Sequence, residues 1–334
     1  MLMMVGIGVA NLSGCVGLQS DAPGSGQLAK LRDDSGSVES IAFSPDGSTL
    51  ACASGYGDGD GGVRFWDVPR RRIRAFFPKD PVTSIAYSPL GSSVAATADQ
   101  VLLLDPETGK LHGPLRGTQG KGNESFVAFS PQGDRLATAG WDHCIRLWDV
   151  RTLRQEAVLQ GHSAHVLAVV FTVDGKSLVS IGADRELRLW NIGSGKSVLI
   201  AGNLPAFDLA VSPNGRSVVV GTSGSKADPK TVSVFSLPSG SPEAGKPISL
   251  QTDGVVMAVA YSPDGKQLAV GSGSVQLWDL VGGKQLRSWN VTGIVESLCF
   301  SPDGRTLAAG IDDGTVTLYG GFTTPSAATA QGTV

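Results

Sequence analysis

Three residues of the types used by serine hydrolases lie close together in the chain: His162, Ser180 and Asp184. A serine, a histidine and a carboxylate can activate the serine hydroxyl for attack on an acyl carbon. However, Trp190 offers a competing N–H donor for the serine, and Ser180 falls inside a predicted strand with no oxyanion hole in reach. These four residues instead predict a buried hydrogen-bond network. A neutral bond adds only about 1 kcal/mol, but a buried N–H or carboxylate without a partner costs more.

Other stretches resemble phosphate or metal sites but lack an essential part. Residues 193–197, GSGKS, resemble the end of a P-loop, yet Trp190 stands where that motif needs its leading glycine. Residues 57–62 contain GxGxxG, but no helix follows and the final glutamate of a calcium loop is missing, which indicates a long hairpin tip. His162 and His165 lack an evident third ligand. We expect no cofactor and no metal.

A turn motif recurs along the chain and organises these residues. In Ser44-Pro45-Asp46-Gly47, proline presets φ and glycine takes the position that favours positive φ. After each turn come two strands, as in residues 176–181 and 186–190, and a strand such as 166–171 precedes it. The closing glycine occurs seven times, about forty residues apart, which is the period of a four-stranded blade. These glycines are Gly47, Gly91, Gly133, Gly175, Gly215, Gly265 and Gly304.

The third strand of each copy ends in a matching way, most often with Trp-Asp, as at Trp66-Asp67 and Trp278-Asp279. With both signatures repeated seven times, residues 27–319 resemble the WD-repeat family. The resemblance implies an all-β fold, a seven-bladed β-propeller of four-stranded antiparallel blades. It also implies that the matching positions of each blade form the buried hydrogen-bond chain. The third copy keeps three of its residues, Thr138, Asp142 and Trp148, but lacks the histidine.

The seventh copy lacks a convincing fourth strand after Tyr319. Residues 27–32, which contain Leu28 and Leu31, align with the outer strand of the other copies. We therefore expect this N-terminal strand to complete the last blade and close the ring, because an exposed sheet edge is avoided in this way. The predicted organisation is a leader and flexible tether over 1–26, the propeller over 27–319 and a flexible tail over 320–334.

The first residues of the chain predict export. Residues 1–12 are uncharged and mostly apolar, too short to span a bilayer but typical of a secretory signal. Leu12-Ser13-Gly14-Cys15 resembles the lipobox of bacterial lipoproteins, which makes Cys15 the lipidation candidate, although no Lys or Arg precedes the apolar run. We expect an exported, lipid-anchored protein, with lipid as its one contact with the membrane. A cytoplasmic location is the alternative if this leader is not a signal.

Composition excludes some classes of function. The net charge of −3 gives no electrostatic footprint for nucleic acid. Cys52, Cys144 and Cys299 fall in strands of different copies without CxxC spacing, so we interpret them as buried apolar filler. We expect a monomeric propeller.

The family resemblance implies that loops at one end of the central channel bind partners. Aromatic and apolar residues interrupted by acids have the composition of a protein-contact surface. The residues that map there are Ser37, Glu39, Asn123, Ser125, Trp141, His165, Leu167, Phe207, Met257, Glu296 and Asp312.

The function expected from this sequence is a non-catalytic scaffold for protein partners of unknown identity. Fixed blades would hold variable loops in place. The alternatives are a propeller enzyme, either a metal-dependent hydrolase or a quinone-cofactor dehydrogenase, and a propeller that binds a small ligand or glycan. An enzyme would need metal or cofactor ligands that converge at the channel mouth. Of the four histidines in the chain, only His165 maps near that mouth, which is thin support for an enzyme.

Overall fold

The computed structural model of the protein describes residues 26–32, 36–55, 61–79, 81–115, 124–222, 231–237, 248–252 and 254–322. Within these ranges the chain forms seven antiparallel sheets of four strands each, as expected for the seven-bladed propeller. No helix in the described part of the chain has the length and apolar character needed to cross a membrane. The predicted leader, including Cys15, and most of the predicted tail lie outside the described residues.

Each blade uses four strands in chain order except the last, which takes its outer strand from the N-terminal side. The strands are β1 (Gln27–Arg32); in blade one β2 (Val38–Phe43), β3 (Thr49–Ser54), β4 (Gly62–Asp67) and β5 (Arg72–Pro78); in blade two β6 (Ser84–Tyr87), β7 (Val94–Thr97), β8 (Val101–Leu104) and β9 (Leu111–Pro114); in blade three β10 (Glu124–Phe129), β11 (Arg135–Gly140), β12 (Cys144–Asp149) and β13 (Arg154–Gln160); in blade four β14 (Val166–Phe171), β15 (Ser177–Gly182), β16 (Leu187–Asn191) and β17 (Ser197–Ala201). They continue with β18 (Ala206–Val211), β19 (Ser217–Thr222), β20 (Thr231–Ser236) and β21 (Ile248–Gln251) in blade five; β22 (Ala258–Tyr261), β23 (Gln267–Gly271), β24 (Ser274–Asp279) and β25 (Lys284–Asn290) in blade six; and β26 (Val295–Phe300), β27 (Thr306–Ile311) and β28 (Thr315–Gly320) in blade seven.

The blades form a closed ring around a channel. The first strand of each blade contacts the first strands of the two neighbouring blades, and β26 contacts β2 to complete the circle. β1 pairs antiparallel with β28, from Gln27 opposite Tyr319 to Arg32 opposite Thr315. Each blade is therefore four strands wide, and blade seven joins the two ends of the propeller by hydrogen bonds.

The hydrophobic core is divided into seven clusters, and each lies between two adjacent blades. This arrangement follows from the strand sequences. In blades one and two, for example, every residue of the second and third strands is buried, so both faces of these strands pack in the core. The closing tryptophans fill these spaces: Trp148 packs between blades two and three, and Trp190 between blades three and four. A blade therefore buries its faces only when its neighbours are present.

The recurring turn also connects neighbouring blades. Gly47 and Gly304 adopt φ values of 71° and 69°, as the turn type requires. The Ser44 hydroxyl donates to Asp46 at 2.6 Å, which caps the turn. A Cβ on Gly304 would lie 3.5 Å from Pro263 in the turn of the preceding blade, and Gly47 faces Pro302 in the same way. The turn motif thus shapes each hairpin and packs it against the next one.

The described cysteines, Cys52, Cys144 and Cys299, lie in β3, β12 and β26 and form no disulfide with one another. Burial raises the pKa of Cys299 to about 12, which keeps it protonated. The P-loop-like residues 193–197 form the turn between β16 and β17, where Asn191 Oδ1 accepts a hydrogen bond from the Ser194 N–H at 2.9 Å. Asp105 accepts the Thr108 N–H in the same way in blade two, so this stretch is a repeated turn.

Candidate binding site at the mouth of the central channel

The residues with hydrolase-like types form a continuous hydrogen-bond chain in blade four. The Trp190 Nε1–H donates to Ser180 Oγ at 2.8 Å, and Ser180 Oγ lies 2.7 Å from His162 Nε2. His162 Nδ1 lies 3.0 Å from both carboxylate oxygens of Asp184. Ser180 and Trp190 have no exposed surface. The Ser-His-Asp order of a catalytic triad is present, but the serine is closed to any substrate, so its role here is structural.

The charges in this network suit a structural role. Burial lowers the pKa of His162 despite the opposing effect of Asp184, which favours a neutral imidazole. Burial opposes ionisation of Asp184, but hydrogen bonds from the Ser163 N–H and from His162 hold its pKa below the usual value. A carboxylate, a neutral imidazole, a hydroxyl and an indole N–H therefore satisfy one another in sequence.

The ligand atoms of His162, Asp184 and Glu186 lie within 4.8 Å of one another, a spacing that a metal ion could use. The histidine nitrogens are both engaged in the network. Glu186 accepts a hydrogen bond from Arg188 Nε at 2.8 Å. Because these donor atoms already have protein partners, the group does not form an open metal site.

Other blades replace this network with different polar groups. In blade three, Trp148 Nε1 donates to Thr138 Oγ1 at 2.9 Å, but Asp142 pairs with Arg146 and does not join them. The prediction that Thr138, Asp142 and Trp148 act together was therefore wrong for Asp142, because without the histidine nothing links the carboxylate to the threonine. In blade six, Trp278 Nε1 donates to Gln276 Oε1 at 3.1 Å, a substitution that the sequence reasoning missed.

The central channel opens into a cavity of about 790 Å³. Most of the residues predicted at the mouth line it: Glu39, Ser125, Trp141, His165, Leu167, Phe207, Met257 and Glu296. Asn123 lies outside the described residues. Ser37 and Asp312 are not among the residues that line this cavity, and their place at the channel mouth stays a prediction. Asp312 is close enough to Glu296 for its charge to raise the pKa of Glu296, and its Oδ1 accepts a hydrogen bond from the Ile294 N–H at 2.8 Å.

An aromatic cluster occupies the mouth between blades three and four. The rings of Trp141 and His165 lie 4.8 Å apart, and His143 meets His165 edge-on at 5.4 Å. His165 Nδ1 lies 2.7 Å from the Trp141 carbonyl oxygen, which accepts its hydrogen bond and fixes the imidazole. Trp141 is nevertheless 62% exposed, and Phe207 of blade five is 39% exposed. Large aromatic side chains held in place but left in solvent are typical of binding surfaces.

Carboxylates also line the channel. Burial raises the pKa of Glu296, and the neighbouring charges of Glu39 and Asp312 raise it further. Asp208, next to Phe207 in β18, has its pKa raised to about 6 by burial, although two backbone N–H groups oppose the shift. The channel therefore combines exposed aromatic surface with carboxylates that are held in an unfavourable environment.

Polar side chains in the first strands also bridge neighbouring blades, a feature that the sequence reasoning missed. Each occupies the repeat position just before an apolar residue of the first strand, which is the signal that could have revealed them. The bridges are Ser40 Oγ to the Ile85 N–H at 3.1 Å, Ser84 Oγ to the Val127 N–H at 3.4 Å, Asp208 Oδ2 to the Val259 N–H at 2.8 Å and Ser297 Oγ to the Ile41 N–H at 3.1 Å. Asp208 thus fastens blade five to blade six while facing the channel.

Comparison with known proteins identifies five of the seven repeats, those of blades one, three, four, six and seven. The family model for the WD domain, G-beta repeat, matches residues 26–67, 118–149, 153–191, 246–279 and 283–319. The chain is similar to the mouse guanine nucleotide-binding protein subunit beta-like protein 1, with 32% identity over 120 residues, covering 34% of this chain and 37% of the relative. It is also similar to ASTRA-associated protein 1 of Verticillium alfalfae, with 30% identity over 157 residues, covering 42% of this chain and 38% of the relative. Transcription initiation factor TFIID subunit 5 of Caenorhabditis elegans is 28% identical over 155 residues, covering 46% of this chain and 23% of the relative. The matched regions are therefore well under half of each of these relatives.

Proposed function

The chain belongs to the WD-repeat family, and from this premise we propose that it is a non-catalytic scaffold that binds a protein partner through the mouth of its central channel. The observation that carries the proposal is the exposed aromatic cluster of Trp141 and His165, with Phe207 beside it on the same cavity. The blades would act by presentation: a rigid ring holds these side chains at fixed separations, so little conformational entropy is lost when a partner binds.

The arrangement of polar groups supports binding over catalysis. Among the residues that the structure describes, Ser180 is the one serine with a histidine and a carboxylate in relay order, and it has no exposed surface. In the channel, Asp208 accepts hydrogen bonds from backbone N–H groups of blades five and six. Glu39 lies close enough to Glu296 for its charge to raise the pKa of Glu296, and neither carboxylate is hydrogen-bonded to a histidine in the described part of the chain. These groups offer charge and contact surface to a partner.

Mutation of the exposed aromatic residues tests the proposal. We expect Trp141→Ala and Phe207→Ala each to weaken capture of the natural partner by tenfold or more, about 1.4 kcal/mol or more, as for central aromatic contacts. Val198→Ala is the matched control, because Val198 is 57% exposed on the outer strand β17. Circular dichroism of the variants establishes that the fold is unchanged. Equal loss on Val198→Ala, or no loss on Trp141→Ala, would refute the role of the channel mouth.

We propose separately, on the sequence of residues 12–15 alone, that Cys15 carries lipid and anchors the protein after export. Two acyl chains or more would be needed for stable anchoring. Intact-mass measurement of the protein from its native source tests this. Mature protein beginning at an acylated Cys15 supports export, and protein that retains residues 1–14 without lipid contradicts it.

A further inference from the structure

The charged side chains that line the channel are all acidic. Three carboxylates line the cavity, those of Glu39, Asp208 and Glu296, and no Lys or Arg lies among the described residues that line it. The walls of the cavity are largely backbone and apolar side chains of the first strands, which screen charge less than water does. A concave site with charges of one sign concentrates the field and attracts ions of the opposite sign.

Two of these carboxylates have no partner in the described part of the chain. Glu39 and Glu296 form no hydrogen bond or ion pair there, whereas acids elsewhere, such as Asp46 and Asp184, accept several hydrogen bonds. Burial and the charge of Glu39 raise the pKa of Glu296, so the negative charge of Glu39 disfavours ionisation of Glu296. A cation placed between them would remove this cost.

The apolar part of the cavity lies across the channel from these two carboxylates. Glu39 belongs to blade one and Glu296 to blade seven, which are neighbours in the ring. Blade four, which carries His165 and Leu167, is opposite the junction of those two blades, and Trp141 of blade three packs against His165. A ligand that spans the mouth would therefore contact Glu39 and Glu296 at one end and aromatic surface at the other. Asp208, next to Phe207, already accepts hydrogen bonds from two backbone N–H groups.

This inference rests on the proposed function and specifies its partner: we propose that the channel takes a basic segment of a protein, with a Lys or Arg side chain between Glu39 and Glu296. A neighbouring apolar or aromatic side chain of that segment packs on Trp141 and Phe207. The cavity of about 790 Å³ has room for more than one side chain. A free small cation would satisfy the carboxylates but would leave the exposed aromatic surface uncovered. A protein segment can cover both the carboxylates and the aromatic surface, so we favour it as the occupant.

The test uses the full chain and a phage-displayed library of short random peptides. We expect the selected peptides to contain Lys or Arg next to an apolar or aromatic residue. The best one is synthesised in two forms, with its basic residue and with citrulline or norleucine in that position. Isothermal titration is then carried out with wild type, with the double variant Glu39→Gln/Glu296→Gln, and with Glu107→Gln. Glu107 is the control because its side chain is 68% exposed on an outer turn of blade two.

We expect the neutral peptide to bind wild type about tenfold more weakly than the basic peptide. The double variant should lose the same factor for the basic peptide and nothing more for the neutral one, because the two changes remove one interaction. Glu107→Gln should change neither. Trp141→Ala should weaken both peptides, since the apolar contact does not depend on charge.

Other outcomes separate this inference from the proposed function. Selected peptides that lack a basic residue but still require Trp141 would overturn the inference and leave the scaffold function standing. Binding of spermidine or arginine methyl ester as tight as that of the peptide would also overturn it, because the occupant would be a small cation. Failure to select any peptide whose binding depends on Trp141 would count against both.

Discussion

Truncation of Trp190 should destabilise the propeller more than any surface change. The indole is fully buried between blades three and four, and its N–H donates to Ser180 at 2.8 Å. Trp190→Ala removes the whole ring from this cluster, and large-to-small core changes of this kind cost about 3–5 kcal/mol in the free energy of unfolding. Part of that loss is packing and part is the hydrogen bond.

Two further variants separate the two parts. Trp190→Phe keeps an aromatic ring and removes the N–H, and we expect a loss of about 1–2 kcal/mol. Ser180→Ala should cost more than Trp190→Phe, because it leaves both the Trp190 N–H and the His162 Nε2 without their buried partner. The order Trp190→Ala, then Ser180→Ala, then Trp190→Phe follows from these contacts.

Urea unfolding followed by far-ultraviolet circular dichroism measures these losses without using the mutated tryptophan as the probe. Trp141→Ala is the control, because the 62% exposed side chain should change stability by no more than about 0.5 kcal/mol. A loss of less than 1 kcal/mol for Trp190→Ala would show that the indole is not buried and that the network does not exist in this form.

Three other predictions concern ring closure, the channel and the turns. Leu31 in β1 is 1% exposed, so Leu31→Ala should lower the free energy of unfolding in urea by about 2–5 kcal/mol. Leu28 on the same strand is 48% exposed, and Leu28→Ala should lower it little. Equal effects of the two changes would contradict closure of the ring by β1. In the folded state the pKa of Asp208 is raised to about 6, so the folded protein binds an extra proton between about pH 4 and 6. As pH rises through this range, wild type should therefore lose about 1–2 kcal/mol of stability relative to Asp208→Asn, after allowance for partial exposure. A difference in stability that stays constant over this range would contradict the raised pKa. Gly304 has a φ of 69°, and a Cβ there would meet no clash, so Gly304→Ala should lower the free energy of unfolding by about 1 kcal/mol through backbone strain alone. Gly304→Asn should lower it less, because asparagine tolerates positive φ better than alanine. A larger loss for Asn than for Ala would contradict this explanation.

The architecture was predictable because its signals are local and repeated. Ser44-Pro45-Asp46-Gly47 and its counterparts determine a turn through their own φ preferences, and the spacing of seven such turns gives the number of blades. Most of the channel mouth could also be predicted. The repeat places Phe207 and Glu296 at the same position of the first strands of blades five and seven, and Trp141 in the loop between the second and third strands of blade three.

Side-chain pairing was less predictable, because it depends on the neighbouring blade. Asp142 occupies the position of Asp184 in the repeat, but it pairs with Arg146. Asp184 is hydrogen-bonded to His162, and blade three has no histidine at that position to bind Asp142. The bridge from Asp208 to Val259 joins residues about fifty positions apart, and only an alignment of the repeats would indicate it, through the polar residue that several blades carry just before an apolar residue of the first strand.

Site-specific photo-crosslinking tests the central claim most directly. A photoreactive phenylalanine analogue is placed at Phe207, beside the channel, and separately at Val198, on the outer strand β17. Both side chains are exposed, so both can react with a bound molecule. The account predicts that the natural partner crosslinks from position 207 and not from position 198. Crosslinking from position 198 alone would contradict binding at the channel mouth.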